Sequence, residues 1–151
     1  MTSVVDRTRR IRAPWHLWAI GLLILGLYII GGRDFVLARA LDEAYFAELG
    51  YGPEQIAYFT NYPLVPAILW GVNIATGLLA AILLLLRSRW ATVSALVAAT
   101  SQSILIIVTF GLMDRWRVLG ARLSIVDIMV CLLTIALCVY CALMSRRRIL
   151  R

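Results

Sequence analysis

The sequence predicts an all-α membrane protein: a four-transmembrane-helix bundle with a short amphipathic helical segment between the first two spans. Three observations carry that fold class. Of the 151 residues, 62% are hydrophobic and the mean hydropathy is +0.88, whereas soluble domains run at about 45–50% apolar. Four long apolar stretches, 13–32, 63–86, 90–113 and 123–145, together hold Asp127 as the one charged residue, with His16 taken as neutral. The arginines gather at the ends of those stretches. All four exceed or match the roughly 20 helical residues that cross a hydrocarbon core of about 30 Å. Lipid offers the backbone no hydrogen bonds, so each crossing must be a helix. The alternating segments of about ten residues that mark a β-barrel are absent. The chain reads as one integral membrane domain, 1–151.

The first stretch also has the look of an export signal, because basic residues precede it and Ala38-Arg39-Ala40 has a small–x–small form. Its 20 uncharged residues exceed the usual h-region of about 7–15. It is therefore expected to stay in place as the first span. Orientation follows from the arginines. Arg7, Arg9, Arg10, Arg12, Arg87, Arg89, Arg146, Arg147, Arg148 and Arg151 fall on one side, with Asp6 as the one acid there. Arg33, Arg39, Arg115, Arg117 and Arg122 fall on the other, against six acids. Both termini are thus expected in the cytoplasm, where arginines meet anionic lipid headgroups. That distribution explains the pI of about 10.0 without a nucleic-acid partner. Trp15, Trp18, Trp70, Trp90 and Trp116 fall near span ends, as amphipathic rings do at headgroup level.

The external segment, 33–62, is expected to be helical. Phe35, Ala38, Leu41, Tyr45 and Leu49 recur at helical spacing over 34–49, which predicts an amphipathic helix at the membrane surface. Gly50 suits the end of that helix, and Pro53-Glu54 suits the first turn of a second one. Two readings stay open for the aromatic residues of this segment. They form a packed cap over the bundle, or Tyr45, Tyr58, Phe59 and Tyr62, with Tyr51, line an external aromatic mouth for a solute.

Gly32-Arg33-Asp34-Phe35, Glu43-Ala44-Tyr45, Pro53-Glu54-Gln55-Ile56-Ala57-Tyr58-Phe59, Pro63, Trp70 and the Leu83–Ala91 run resemble a group of small four-span bacterial membrane proteins. Members of that group are often automatically labelled sugar transporters. The likeness covers the first three spans and weakens over the fourth. It implies topology and a bacterial inner membrane, and it assigns no functional residue.

Polar groups within hydrocarbon are costly and are functional candidates by default. Asp127, near the outer end of the fourth span, is expected to be half-solvated, to pair with Arg122 or Arg33, or to take up a proton. A structural ion pair is the commoner outcome at that depth. Asn73 and Gln102 lie near the middle of the second and third spans. They either hydrogen-bond to one another as glue between helices or form a midplane polar site. Ala67, Gly71 and Ala75, and Ala91, Ala95, Ala99 and Ser103, form small-residue strips suited to close helix contact within or between subunits.

There is no Lys and a single His, which removes Schiff-base chemistry, Walker-type phosphate loops and multi-His metal or haem centres. Cys131, Cys138 and Cys141 sit in the fourth span and read as small apolar packers, since lipid surroundings suppress thiolate formation. His16 reads as an interfacial anchor. No cofactor and no catalytic constellation is expected. Two functions remain: a small-solute, sugar-like transporter acting as an oligomer, or a non-catalytic accessory, assembly or scaffold subunit of a larger membrane complex.

Overall fold

The computed structural model describes residues 14–150, and all regular structure in that range is helical. The arginines at 7, 9, 10, 12 and 151 lie outside the described residues. The elements are α1 (Trp15–Arg39), α2 (Glu43–Glu48), α3 (Pro53–Thr60), α4 (Leu64–Leu85), α5 (Trp90–Leu112) and α6 (Arg115–Arg146). Helices α1, α4, α5 and α6 are each long and apolar enough to cross a membrane. The local signals are simple. Pro14 and Pro63 stand in extended conformation at the N-caps of α1 and α4, where a missing N–H costs nothing.

Helix α1 continues past Gly32 to Arg39, about 10 Å further along its axis. The expected amphipathic helix over 34–49 therefore does not form as one piece. Leu41 turns with φ 54°, and Asp42 starts α2 afresh by accepting a hydrogen bond from the Tyr45 N–H at 2.7 Å. The N-cap carboxylate takes over a backbone donor that a continuous helix would have satisfied itself. Gly50, at φ 67°, ends α2, and Pro53 opens α3, both as the sequence indicates. Gln55 Oε1 accepts the Gly52 N–H at 3.0 Å, and Gln55 Nε2 donates to the Val118 carbonyl at 3.0 Å, tying α3 to α6.

The spans meet in two clusters. One joins Leu17, Leu84, Ala91, Leu137, Cys141 and Met144 with Ile149 and Leu150. It closes the end of the bundle that holds the start of α1 and the end of α6. Small residues let α4 and α5 approach closely there: Ala80, Ala81, Ala91, Ala95 and Ala98 are all buried. The Arg87 guanidinium donates to the Ile149 carbonyl at 3.3 Å and holds the chain end against that core. The second cluster joins Ala38, Tyr45, Phe46, Phe59, Tyr62, Ala67 and Leu119 and roofs the opposite, cap end.

Helices α4–α5, α5–α6 and α1–α4 make the close backbone pairings. Helices α1 and α6 stand further apart and meet through side chains. His16 Nδ1 lies 2.6 Å from the Tyr140 hydroxyl, and the Tyr28 hydroxyl lies 3.0 Å from Thr134 Oγ1. Thr134 donates to the Val130 carbonyl at 2.8 Å, so Tyr28 is the donor in the second bond. Gly77 makes room for that tyrosine, since a Cβ there would overlap the ring.

Candidate functional site

Between the Tyr28–Thr134 bond and the cap, the separation of α1 from α6 leaves a cavity of about 210 Å³. It follows α1 from Leu27 to Asp34 and α5 from Gln102 to Thr109, about 10 Å of helix in each case. Tyr28, Asn73 and Gln102 border its deep end, near the middle of the bundle. Asp34, Tyr62, Arg115 and Asp127 border its cap end, and Ile74, Leu105, Ile106 and Val130 supply apolar walls. An apolar cavity of about 150 Å³ already accommodates benzene, so this one suits a molecule of monosaccharide size.

The two midplane amides come to the same cavity but not to each other. Asn73, 1% exposed, donates from Nδ2 to the Ala98 carbonyl of α5 at 3.0 Å. The expected Asn73–Gln102 hydrogen bond is absent because the α5 backbone has already taken the Asn73 donor. Gln102 is only 6% exposed, yet its amide makes no hydrogen bond to any described residue. The amide atoms keep some accessible surface; the fully buried side-chain atoms without a partner among the described residues are the Tyr58 hydroxyl, Thr92 Oγ1 and Ser124 Oγ. Gln102 lines the cavity, where its amide offers both donor and acceptor. Thr109 Oγ1 donates to the Leu105 carbonyl at 2.8 Å, which leaves its oxygen able to accept.

Asp127 pairs with Arg115, not with Arg122 or Arg33. Arg115 Nε lies 2.6 Å from Asp127 Oδ2, and the two side chains are 14% and 26% exposed. Arg33 instead bridges Glu48 at 3.1 Å and Asp34 at 3.8 Å, and Arg122 faces outward. The guanidinium of Arg115 also stands 6.0 Å from the centre of the Tyr58 ring, within cation–π range. Arg115 was not among the sequence candidates. The available signal was Gly120, the one residue between Arg115 and Asp127 free to adopt the φ of 79° found there.

Of the five aromatic residues considered for an external mouth, Tyr62 alone borders the cavity. Tyr45 and Phe59 are buried in the cap core, and Tyr58 packs beside it under Arg115. Phe46, Tyr51, Phe59 and Tyr62 stack in sequence with ring centroids 5.7–6.1 Å apart, the spacing of favourable aromatic pairs. Trp70 continues the set, edge-on to Phe35 at 5.0 Å, and also lines the cavity. Burial pushes the phenols of Tyr45 and Tyr62 well above the usual tyrosine range. Burial also raises Tyr58 and Tyr51, with Arg115 opposing it. All four are neutral hydroxyls at physiological pH.

The three cysteines are free thiols, and no group of three metal-ligating side chains occurs among the described residues. At the cap end Arg115 pairs with Asp127, and Arg33 is shared between Glu48 and Asp34. Among the polar side chains that line the cavity, Gln102 keeps a free amide donor and acceptor, an arrangement able to hydrogen-bond an uncharged molecule. No protein-family model, curated protein or solved structure matches the chain.

Proposed function

We propose that the chain is a small-solute membrane protein whose cavity binds an uncharged, hydroxyl- or amide-bearing molecule of monosaccharide size, and that it passes this solute across the membrane as an oligomer. The observation that carries this reading is the unpartnered amide of Gln102, a residue 6% exposed that lines the deep end of the cavity. A structural amide finds a partner in the protein, as Asn73 does. One left open toward a cavity is matched to a ligand. An oligomer is invoked because the half of the bundle below Tyr28 is filled by Leu17, Leu84 and Leu137, so one chain offers no continuous path.

The arginine distribution supports a bacterial inner-membrane protein with both ends cytoplasmic and the cavity on the outer side. Anionic headgroups at the cytoplasmic face are its expected lipid partners. The alternative, a non-catalytic accessory or scaffold subunit, rests on the lack of a reactive constellation and on small-residue strips. Ala91, Ala95 and Ala99 are covered within the monomer, whereas Ala75 of the other strip is exposed.

Uptake into proteoliposomes tests the proposal, using a labelled panel of neutral monosaccharides and polyols. Saturable uptake of at least one, reduced in Gln102→Leu and Asp127→Asn, is expected. Uptake no faster than in protein-free liposomes across the whole panel would reject it.

A further inference from the structure

We infer that the ligand reaches this cavity sideways, from the lipid of the capped leaflet, through the seam between α1 and α6. The ligand is then a membrane-partitioned amphiphile: an uncharged ring carrying a hydroxyl or amide. This rests on the reading of the cavity as a binding site and adds its entrance and ligand class.

The seam is fastened unevenly. Among the described residues, His16–Tyr140 and Tyr28–Thr134 are the hydrogen bonds that join α1 to α6. Both lie at or below the cavity floor. Above Tyr28 no hydrogen bond or ion pair among the described residues crosses from one helix to the other. There the edges of the cavity are Ile30 on α1 and Val126 on α6, which are 60% and 52% exposed. On apolar spans such exposure faces acyl chains.

The route from water is better closed. Tyr62 is 7% exposed and sits in the aromatic stack, and the Arg115–Asp127 pair stands beside it. A solute from the aqueous side meets that pair and the stack, with Asp34 beside them 38% exposed, less than either residue at the lipid edge. A molecule dissolved in the leaflet has only to displace two branched aliphatic side chains with no polar bond between them. Once inside, its polar group meets Gln102, and its ring lies against Leu105 and Ile106.

The test uses the full chain in lipid nanodiscs with Trp70 as the sole tryptophan and Cys131, Cys138 and Cys141 replaced by Ala. The probe is an uncharged, hydroxylated piperidine nitroxide, which partitions into bilayers and quenches indole fluorescence. An Ile30→Cys/Val126→Cys pair, bridged by a bis-methanethiosulfonate, locks the seam. Its reduced form is the reference. A His16→Cys/Tyr140→Cys pair, bridged by the same class of reagent, locks the seam below the floor. Expected are saturable quenching that Gln102→Leu abolishes, association slowed about tenfold or more by the upper lock, and no slowing by the lower one. Saturable, Gln102-dependent quenching at the same rate with the upper seam locked and open would overturn lateral entry while leaving the solute-binding reading intact. Absence of saturable quenching, or quenching indifferent to Gln102→Leu, would overturn the binding reading and lateral entry with it.

Discussion

Arg115 and Asp127 are twelve residues apart on α6, yet Nε and Oδ2 are 2.6 Å apart. On an unbroken helix they would be separated by about 18 Å along the axis, beyond the reach of an arginine. Gly120 makes the contact possible. At φ 79° and ψ 170° it leaves helical geometry, so the 115–119 turn folds back over the cap and carries its guanidinium to the carboxylate. The ion pair is a tertiary contact within one element. It sets the roof of the cavity and neutralises the acid that the fourth span carries into the membrane.

Breaking that pair strands a charge at a site shielded from water. Arg115→Ala and Asp127→Ala should each lower stability by about 1–3 kcal/mol, less than for a fully buried pair because both groups retain some solvent. Thermal unfolding in detergent reads this. The double variant should lose less than the sum of the singles, showing coupling of about 1 kcal/mol. Strict additivity would show that the pair is not formed.

Gly120→Ala isolates the backbone requirement. A Cβ at Gly120 meets nothing within 4 Å, so any cost is conformational. The positive φ makes a loss of about 1–2 kcal/mol the expectation, together with loss of the Arg115–Asp127 coupling. Gly111→Ala, also free of neighbours but helical, should be neutral or slightly stabilising. Equal stability of the two variants would remove Gly120 from its role.

Much of this was legible in the sequence, and the remainder has identifiable causes. Hydrophobic run length locates the four spans because lipid leaves the backbone no other choice. Gly50 and Pro53 mark their turns because their own dihedral limits act locally. The break at Leu41 was not visible, since a helical stripe runs through it and Asp42 decides the outcome by capping. Asp127 stood out by its type, but its partner depended on a single backbone angle at Gly120. Asn73 and Gln102 were legible as a pair of suspects by depth alone. That they border one cavity without touching depends on Ala98 offering its carbonyl to Asn73, which no spacing rule encodes. Tyr28, Asp34 and Thr109 entered the site only through packing.

Gly77→Ala tests the floor of the cavity. The new methyl must displace the Tyr28 ring, and overpacking of this kind costs about 1–3 kcal/mol. The Tyr28–Thr134 bond should be lost with it. Gly26→Ala, with open space around it, is the matched control. Indistinguishable melting of the two would mean that Tyr28 is free to move and does not close the floor.

Alkaline titration tests the cap. Tyr45 and Tyr62 have folded pKa values raised by burial, so folding favours their neutral form. Their contribution to stability is fully present below the unfolded value of about 10 and is lost as pH rises through the raised folded value. Tyrosinate absorbance, assigned with Tyr45→Phe and Tyr62→Phe, should show both ionising after the remaining tyrosines, accompanied by loosening of the cap. Ionisation of both in the ordinary tyrosine range would contradict the buried cap.

The most direct test of the binding site is thermal unfolding of Gln102→Leu beside wild type and Asn73→Leu, with and without a panel of neutral hydroxylated ring compounds. An amide reserved for a ligand is a liability in the empty protein. Gln102→Leu should therefore equal or exceed wild type in unliganded stability, by up to about 1–3 kcal/mol. Asn73→Leu should lose about 1 kcal/mol with its bond to Ala98. At least one compound should stabilise wild type in proportion to its occupancy and leave Gln102→Leu unmoved. A Gln102→Leu protein that melts below wild type and still responds to the same compounds would show that the amide is structural, and would contradict the proposed site.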